Sequence, residues 1–113
     1  MKRVEKISLD ELREMAEKMF GALVKADVDI AKKIVVLDAE LHADIETFML
    51  ESGSKQEDLW GINLYLEKFG TDEFIEFDSM INIRPRQGNR SRYVEDEAIR
   101  GKIAEIISEV VNG

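Results

Sequence analysis

Two stretches of period-two alternation constrain the fold of this chain more than any other feature. Trp60, Ile62, Leu64 and Leu66 alternate with Gly61, Asn63 and Tyr65; Ile75, Phe77, Ser79, Ile81 and Ile83 alternate with Glu76, Asp78, Met80, Asn82 and Arg84. Successive side chains of a strand point to opposite faces, so each stretch predicts a strand with one apolar and one polar face. Gly70-Thr71 between them has the Gly-X form of a two-residue type II′ turn. A turn there sets Leu64 opposite Phe77 and Ile62 opposite Ser79 on the core face. On the other face it sets Tyr65 beside Glu76 and Asn63 beside Asp78.

Helical spacing appears on both sides of this hairpin. Ser8-Leu9-Asp10-Glu11 is a capping box in which Ser8 bonds the Glu11 amide and Glu11 returns to the Ser8 amide, with Ile7 stapled onto Leu12. Leu9, Leu12, Met15, Ala16, Met19 and Phe20 continue as a 3.6-residue stripe that Gly21 terminates. Between Ala22 and Leu37, Val24, Ala26, Val28 and Ile30 alternate with Lys25, Asp27 and Asp29, which predicts two strands joined near Lys32. A continued helix through Leu23, Ile30, Ile34 and Leu37 is the weaker reading, given the β-branched residues in this segment. Leu41, Ile45, Phe48 and Met49 predict a short second helix before Gly53. Asp96 is the N-cap expected for a third, with Ile99, Ile103, Ile106, Ile107, Val110 and Val111 as its apolar stripe.

The 113 residues are 44% apolar, with no cysteine and one proline. That length predicts one domain, 1–113, burying roughly two thirds of the surface of its unfolded chain without a disulfide or structural metal. The element order predicts an α+β fold: a mainly antiparallel sheet of about four or five strands with three helices packed against it. Lack of cysteine excludes thiolate zinc sites, iron–sulfur clusters and a thiol nucleophile. The longest apolar run, Ile34 to Leu37, is far short of a membrane span, and no apolar signal segment opens the chain, so the expectation is a cytoplasmic protein without membrane partners.

The net charge of −8 disfavours non-specific attraction to nucleic acid or anionic lipid. Residues Arg84 to Arg92 reverse it locally, with four arginines and no acid, +4 against −12 for the remainder. Guanidinium groups bind phosphate and carboxylate bidentately, and Gly88 lets the backbone approach a ligand, so Arg84, Arg86, Asn89, Arg90 and Arg92 are candidate anion contacts. Internal pairing with Glu76, Asp78, Glu95 or Asp96, or with acids of a second subunit, explains the same arginines without a ligand. Only Tyr93 supplies an adjacent aromatic ring, so nucleic acid lacks support.

The polar hairpin face adds Asn63, Tyr65 and Asn82 as candidate ligand contacts, although a solvated or ion-paired face is the leading account of them. Glu76 and Asp78 point the same way and could hold Mg2+ through oxygen ligands. His42, flanked by Glu40, Asp44 and Glu46, is the candidate acid/base if the protein is an enzyme. No phosphate-binding loop, dinucleotide fingerprint, nucleophile elbow or His-Glu-x-x-His motif is present.

Glu-Leu-His-Ala-Asp (40–44), Gly-Ser-Lys-Gln (53–56), Leu-Trp-Gly-Ile-Asn-Leu-Tyr (59–65), Ile-Glu-Phe-Asp-Ser-Met-Ile-Asn-Ile-Arg-Pro (75–85) and Gln-Gly-Asn-Arg-Ser-Arg (87–92) resemble a family of small uncharacterised prokaryotic proteins, a domain of unknown function. The resemblance spans nearly the whole chain and implies a cytoplasmic single-domain protein, with no assigned activity. Two functional expectations follow from the residues. The first is a binding module without a cofactor, recognising an anionic small molecule or acidic protein surface through the arginine loop and polar hairpin face. The second is a phosphoester hydrolase or nuclease with His42 as acid/base, Glu76 and Asp78 on Mg2+, and Arg84 or Arg90 stabilising charge. Surplus apolar residues, among them Trp60, Phe69, Phe74 and Met80, point to a homodimer.

Overall fold

A computed structural model describes residues 1–113. The chain opens with β1 (Lys2–Val4) and β2 (Ile7–Ser8), then enters α1 (Leu9–Lys18). Ser8 Oγ accepts the Glu11 N–H at 3.1 Å, as the capping box requires. The return arm differs, because the Glu11 carboxylate takes the Ser8 hydroxyl at 3.4 Å rather than the Ser8 amide. Leu12 and Ala16 are buried, and the helix stops where Gly21, at φ +79°, donates its N–H to the Ala16 carbonyl.

The segment from Ala22 to Leu37 is two strands, β3 (Leu23–Asp29) and β4 (Ile34–Leu37), joined by a turn around Lys32. After α2 (His42–Glu51), β5 (Leu59–Tyr65) pairs along the whole of β3, and β6 (Ile75–Glu76) pairs with β5. The five strands lie in the order β1-β4-β3-β5-β6, all antiparallel. The chain ends in α3 (Glu97–Val110), capped by the Asp96 carboxylate on the Ala98 N–H, and β7 (Val111–Asn112), which runs parallel to β2. The fold is α+β.

Period-two patterning divides the strands between two faces. Val24, Ala26, Val28, Val35, Leu37, Trp60, Ile62 and Leu64 pack with Leu12 and Ala16 of α1 and Ile103, Ile106 and Ile107 of α3 in one core. Burying each large aliphatic residue there contributes roughly 2 kcal/mol. On the opposite face Val36 and Leu59 pack with Ile45 and Met49 of α2. This second layer also buries His42, at the start of α2, and Asp27 and Asp29, which alternation alone assigned to the polar side.

The second hairpin departs from expectation in turn and register. Residues 66–74 form a nine-residue connection rather than a Gly70-Thr71 turn, although Gly70 takes a positive φ of 86°. Leu66 and Phe74 are buried under it, and the Phe69 ring stacks edge-on against Phe74. Apolar anchoring of the connection thus replaces a tight turn. Asn63 pairs with Glu76 and Leu64 with Ile75, two residues away from the expected register. A two-residue slip preserves the face of every side chain, so the facing survives while the pairing does not.

The expected strand through Arg84 also ends early. Beyond an isolated bridge between Asp78 and Tyr93, residues Met80–Asn82 form a 3-10 turn capped by Ser79 Oγ on the Ile81 N–H. Side chains then do for the outer edge of β5 what a strand backbone would. The Asn82 amide accepts the Gly61 N–H at 2.9 Å and donates to the Gly61 carbonyl at 3.0 Å, and Arg84 donates to the Leu59 carbonyl. Gly61 permits this approach, since a Cβ there would lie 2.6 Å from Ser79 Cβ.

Candidate functional site

The four loop arginines divide into two that are neutralised internally and two that are not. Arg84 is buried: Nε donates to the Ile81 carbonyl at 3.1 Å, Nη2 sits 3.6 Å from Glu46 Oε2, and the guanidinium lies 4.7 Å from the Trp60 ring centroid. Arg92 grips Asp78 bidentately at 2.8 and 2.9 Å, so one of the expected internal partners is realised. Arg86 and Arg90 are exposed and form no ion pair.

The candidate asparagines serve the backbone. Asn89 Nδ2 donates to the carbonyls of Asn82, Ser91 and Tyr93, and its Oδ1 accepts the Glu95 N–H. The loop is closed by the antiparallel bridge between Arg84 and Asn89. Glu95 accepts three bonds at 2.8 Å, from the Ser91 hydroxyl and the Ser91 and Arg90 amides, which hold its carboxyl below the usual range. Asn82 is fully buried on Gly61 and also donates to the Arg92 carbonyl. Hydrogen bonding of this density holds the backbone of the loop in one conformation.

Asn63, Tyr65, Glu76 and Asp78 converge, as the polar face predicts. Asn63 Nδ2 donates to Glu76 Oε1 at 2.8 Å and to the Asp78 carbonyl at 3.2 Å, and the Tyr65 hydroxyl reaches the same carboxylate oxygen at 3.4 Å. Burial and then the Glu76 carboxylate push the Tyr65 phenol above its ordinary pKa. Beside them an open groove of about 570 Å³ runs along β6 towards Tyr93. Its lining carries the rings of Tyr65, Phe77 and Tyr93 and the carboxylates of Asp72, Glu73, Glu76 and Asp78 against one lysine, Lys68. Lys68 pairs with Glu73 at 3.2 Å and Arg92 with Asp78, while Asp72 and Glu76 are in no ion pair. The groove therefore keeps a negative charge against aromatic walls.

His42 is buried at the start of α2, with Nε2 bonded to the Ile62 carbonyl at 2.8 Å. Burial lowers its pKa most; Lys25 and Arg92 lower it further, against the Ile62 bond and Asp78, which raise it. A carbonyl oxygen can only accept, so Nε2 carries the proton and is the donor in that bond. Asp78 and Arg92 are thus near enough to act on His42, whereas Arg84 is sealed against Glu46 and Leu59. No group of three or more His, Asp or Glu side chains is placed to hold a metal ion, so Glu76 and Asp78 gain no third carboxylate or imidazole.

Charge also collects where the sequence offered no signal. Asp27 on β3 is fully buried beneath α2, and neither carboxylate oxygen has a hydrogen-bond partner. Burial first, and the neighbouring Glu46 carboxylate second, push its pKa up to about 9 against the pull of Arg84. Glu46 Oε2 is likewise without a hydrogen bond. His42 and Glu46 lie four residues apart on the inward side of α2, a spacing legible in advance, but the strand residue beneath them was not.

The model of one family, described as Protein of unknown function (DUF5674), matches residues 3–110 of the chain. No curated protein and no solved structure matches it.

Proposed function

The chain belongs to the DUF5674 family of proteins of unknown function, and we propose that it is a cytoplasmic binding module whose ligand lies in the groove along β6 and presents a cationic group. One observation carries this reading: three aromatic rings and four carboxylates converge on an open groove of about 570 Å³ whose only lysine is already paired. Ammonium and guanidinium groups are attracted both to aromatic faces and to carboxylates, and Tyr65 already receives Lys68 at 5.8 Å in this way. The Glu76 carboxylate, oriented by Asn63 and Tyr65, is the anchor for such a group. Asp78, clamped by Arg92, sets one end of the groove.

A second reading is recognition of a phosphate, carboxylate or acidic protein surface by the loop, and the free guanidinium groups of Arg86 and Arg90 favour it. Hydrolysis of a phosphoester has less support, since His42 offers its Nε2 to a backbone carbonyl and Asp78 is engaged by Arg92. Self-association is a further part of the proposal. The stripe of α3 is spent on the core, whereas Leu41, Met80 and Ile83 remain exposed around α2 and the 3-10 turn packed against it.

The test is an amide NMR titration of the full chain with spermidine and arginine amide, and separately with inorganic phosphate. The expected result is a saturable shift at Tyr65, Glu76, Asp78 and Tyr93 with the amines, weakened about tenfold by Glu76→Gln, the scale of one charge-assisted hydrogen bond. Shifts with phosphate centred on Arg86 and Arg90, and none with the amines, would overturn the groove reading in favour of the loop.

A further inference from the structure

The edge of the sheet opposite the groove carries the reverse charge. Between β1, the β3–β4 turn and the last turns of α3 lies a cleft of two lobes, about 340 and 220 Å³, that share Lys33, Ile106 and Glu109. Its walls hold five cations, Arg3, Lys6, Lys32, Lys33 and Lys102, against the carboxylates of Glu5, Glu105 and Glu109. This excess stands out in a chain of net charge −8.

None of these eight side chains is in an ion pair. Two of the cations are used structurally, Lys6 Nζ on the Glu109 carbonyl at 2.6 Å and Lys32 Nζ on the Gly53 carbonyl at 2.8 Å. Arg3, Lys33 and Lys102 are left with their charges unspent. Ile34, Ile106 and Val110 floor the larger lobe.

The turn that presents Lys33 is fixed from below. Asp29, fully buried, accepts the N–H groups of Ala31 and Lys32 at 3.0 and 2.9 Å and the Ser54 hydroxyl at 2.7 Å. Lys33 then takes φ +57°, a left-handed conformation that costs a lysine about 1 kcal/mol relative to glycine. The fixed turn sets where the Lys33 side chain leaves the backbone, which removes the backbone part of the ordering cost of binding. By contrast neither Arg86 nor Arg90 lines the β6 groove or this cleft.

We propose that this cleft is an anion site that takes a small organic molecule bearing a phosphate or carboxylate group, with Arg3, Lys33 and Lys102 as its cations and Ile34, Ile106 and Val110 as the floor for its apolar part. The proposal is independent of the groove: it concerns the other edge of the sheet and a ligand of opposite sign. Lys33 is the specificity point, since it alone of the cations borders both lobes.

The test compares pyrophosphate with citrate in amide NMR titrations of the full chain, at an ionic strength matched with chloride. Saturable shifts are expected at Arg3, Lys33, Ile34, Lys102 and Ile106, and the better of the two anions identifies phosphate or carboxylate as the preferred group. Lys33→Gly suits the left-handed turn and removes only the side chain; combined with Lys102→Ala it should weaken binding about tenfold or more while the remaining spectrum stays in place. Absence of saturable shifts in the cleft with both anions at millimolar concentration, or affinity unchanged in the double variant, would overturn the site. Neither outcome bears on the β6 groove, whose residues report separately.

Discussion

Replacing Asp27 by asparagine should make the protein more stable and remove most of the pH dependence of its stability in mildly alkaline solution. The carboxyl is fully buried, without a hydrogen-bond partner, and its pKa is pushed up to about 9 from 3.8, chiefly by burial. Between those values the folded chain holds a proton that the unfolded chain has released. Stability therefore falls as pH rises through this window, by about 1.4 kcal/mol per pH unit, and levels off above the folded pKa. At pH 7 the accumulated cost is about 4 kcal/mol relative to acid in which both states are protonated. Asparagine does not titrate and carries no such cost. The cleanest interval runs from about pH 7 to about pH 8.5, because burial moves the titration of His42 in the acid direction and that of Tyr65 in the alkaline direction, both away from it. Urea unfolding followed by the fluorescence of the single tryptophan, Trp60, should show the wild-type chain losing about 2 kcal/mol across that interval and Asp27→Asn losing little. Parallel slopes in the two proteins would refute the reasoning.

Two other expectations are cheaper to check. Gly61→Ala places a methyl 2.6 Å from Ser79 Cβ and 2.7 Å from its Oγ, so it should cost about 1–3 kcal/mol by urea unfolding, and Ser79→Gly in the same chain should recover part of that; an unchanged midpoint would contradict the close approach. Self-association through Leu41, Met80 and Ile83 should appear as a dimer in sedimentation at micromolar concentration that persists in high salt, whereas a monomer at both low and high salt removes it.

Legibility in the sequence tracked how local each determinant is. The start and stop of α1 were readable because Ser8, Glu11 and Gly21 act within a few residues of the helix they bound. The faces of β3 and β5 were readable because alternation is a property of each strand by itself, whereas the unbroken apolar run of β4 carries no such pattern. The β5–β6 register was not, because Leu66 and Phe74 anchor the connection by packing, and packing partners are not written beside a turn. The early end of the last strand was hidden for a related reason: the Asn82 and Arg84 side chains replace a ladder that alternation assigns to backbone.

The candidate site follows the same division. Asn63, Tyr65 and Glu76 were found together because they belong to paired strands, whereas Asp78, just beyond β6, and Tyr93 and Asp72 reach the groove through loops. Internal pairing of Arg92 with Asp78 was among the readings of the loop, but the partner of Arg84, Glu46, sits on a helix far earlier in the chain. Alternation says that Asp27 and Asp29 face away from the main core; it does not say that α2 will cover that face.

The short parallel ribbon of β2 and β7 bears on the order of folding. Ile7 pairs with Val111 and Ser8 with Asn112, more than a hundred residues apart, so forming the ribbon first would close a loop of nearly the whole chain for two residue pairs of gain. The hairpin of β3 and β4 and the capped helices α1 and α3 form at far lower entropic cost, so the ribbon is expected to join after them. Contacts made on the native side of the transition state govern how fast a protein opens rather than how fast it closes. The ribbon thus ties the two helices as a latch would, since α1 begins where one of its strands ends and α3 ends where the other begins, and loosening it by Ile7→Ala should speed unfolding more than it slows folding.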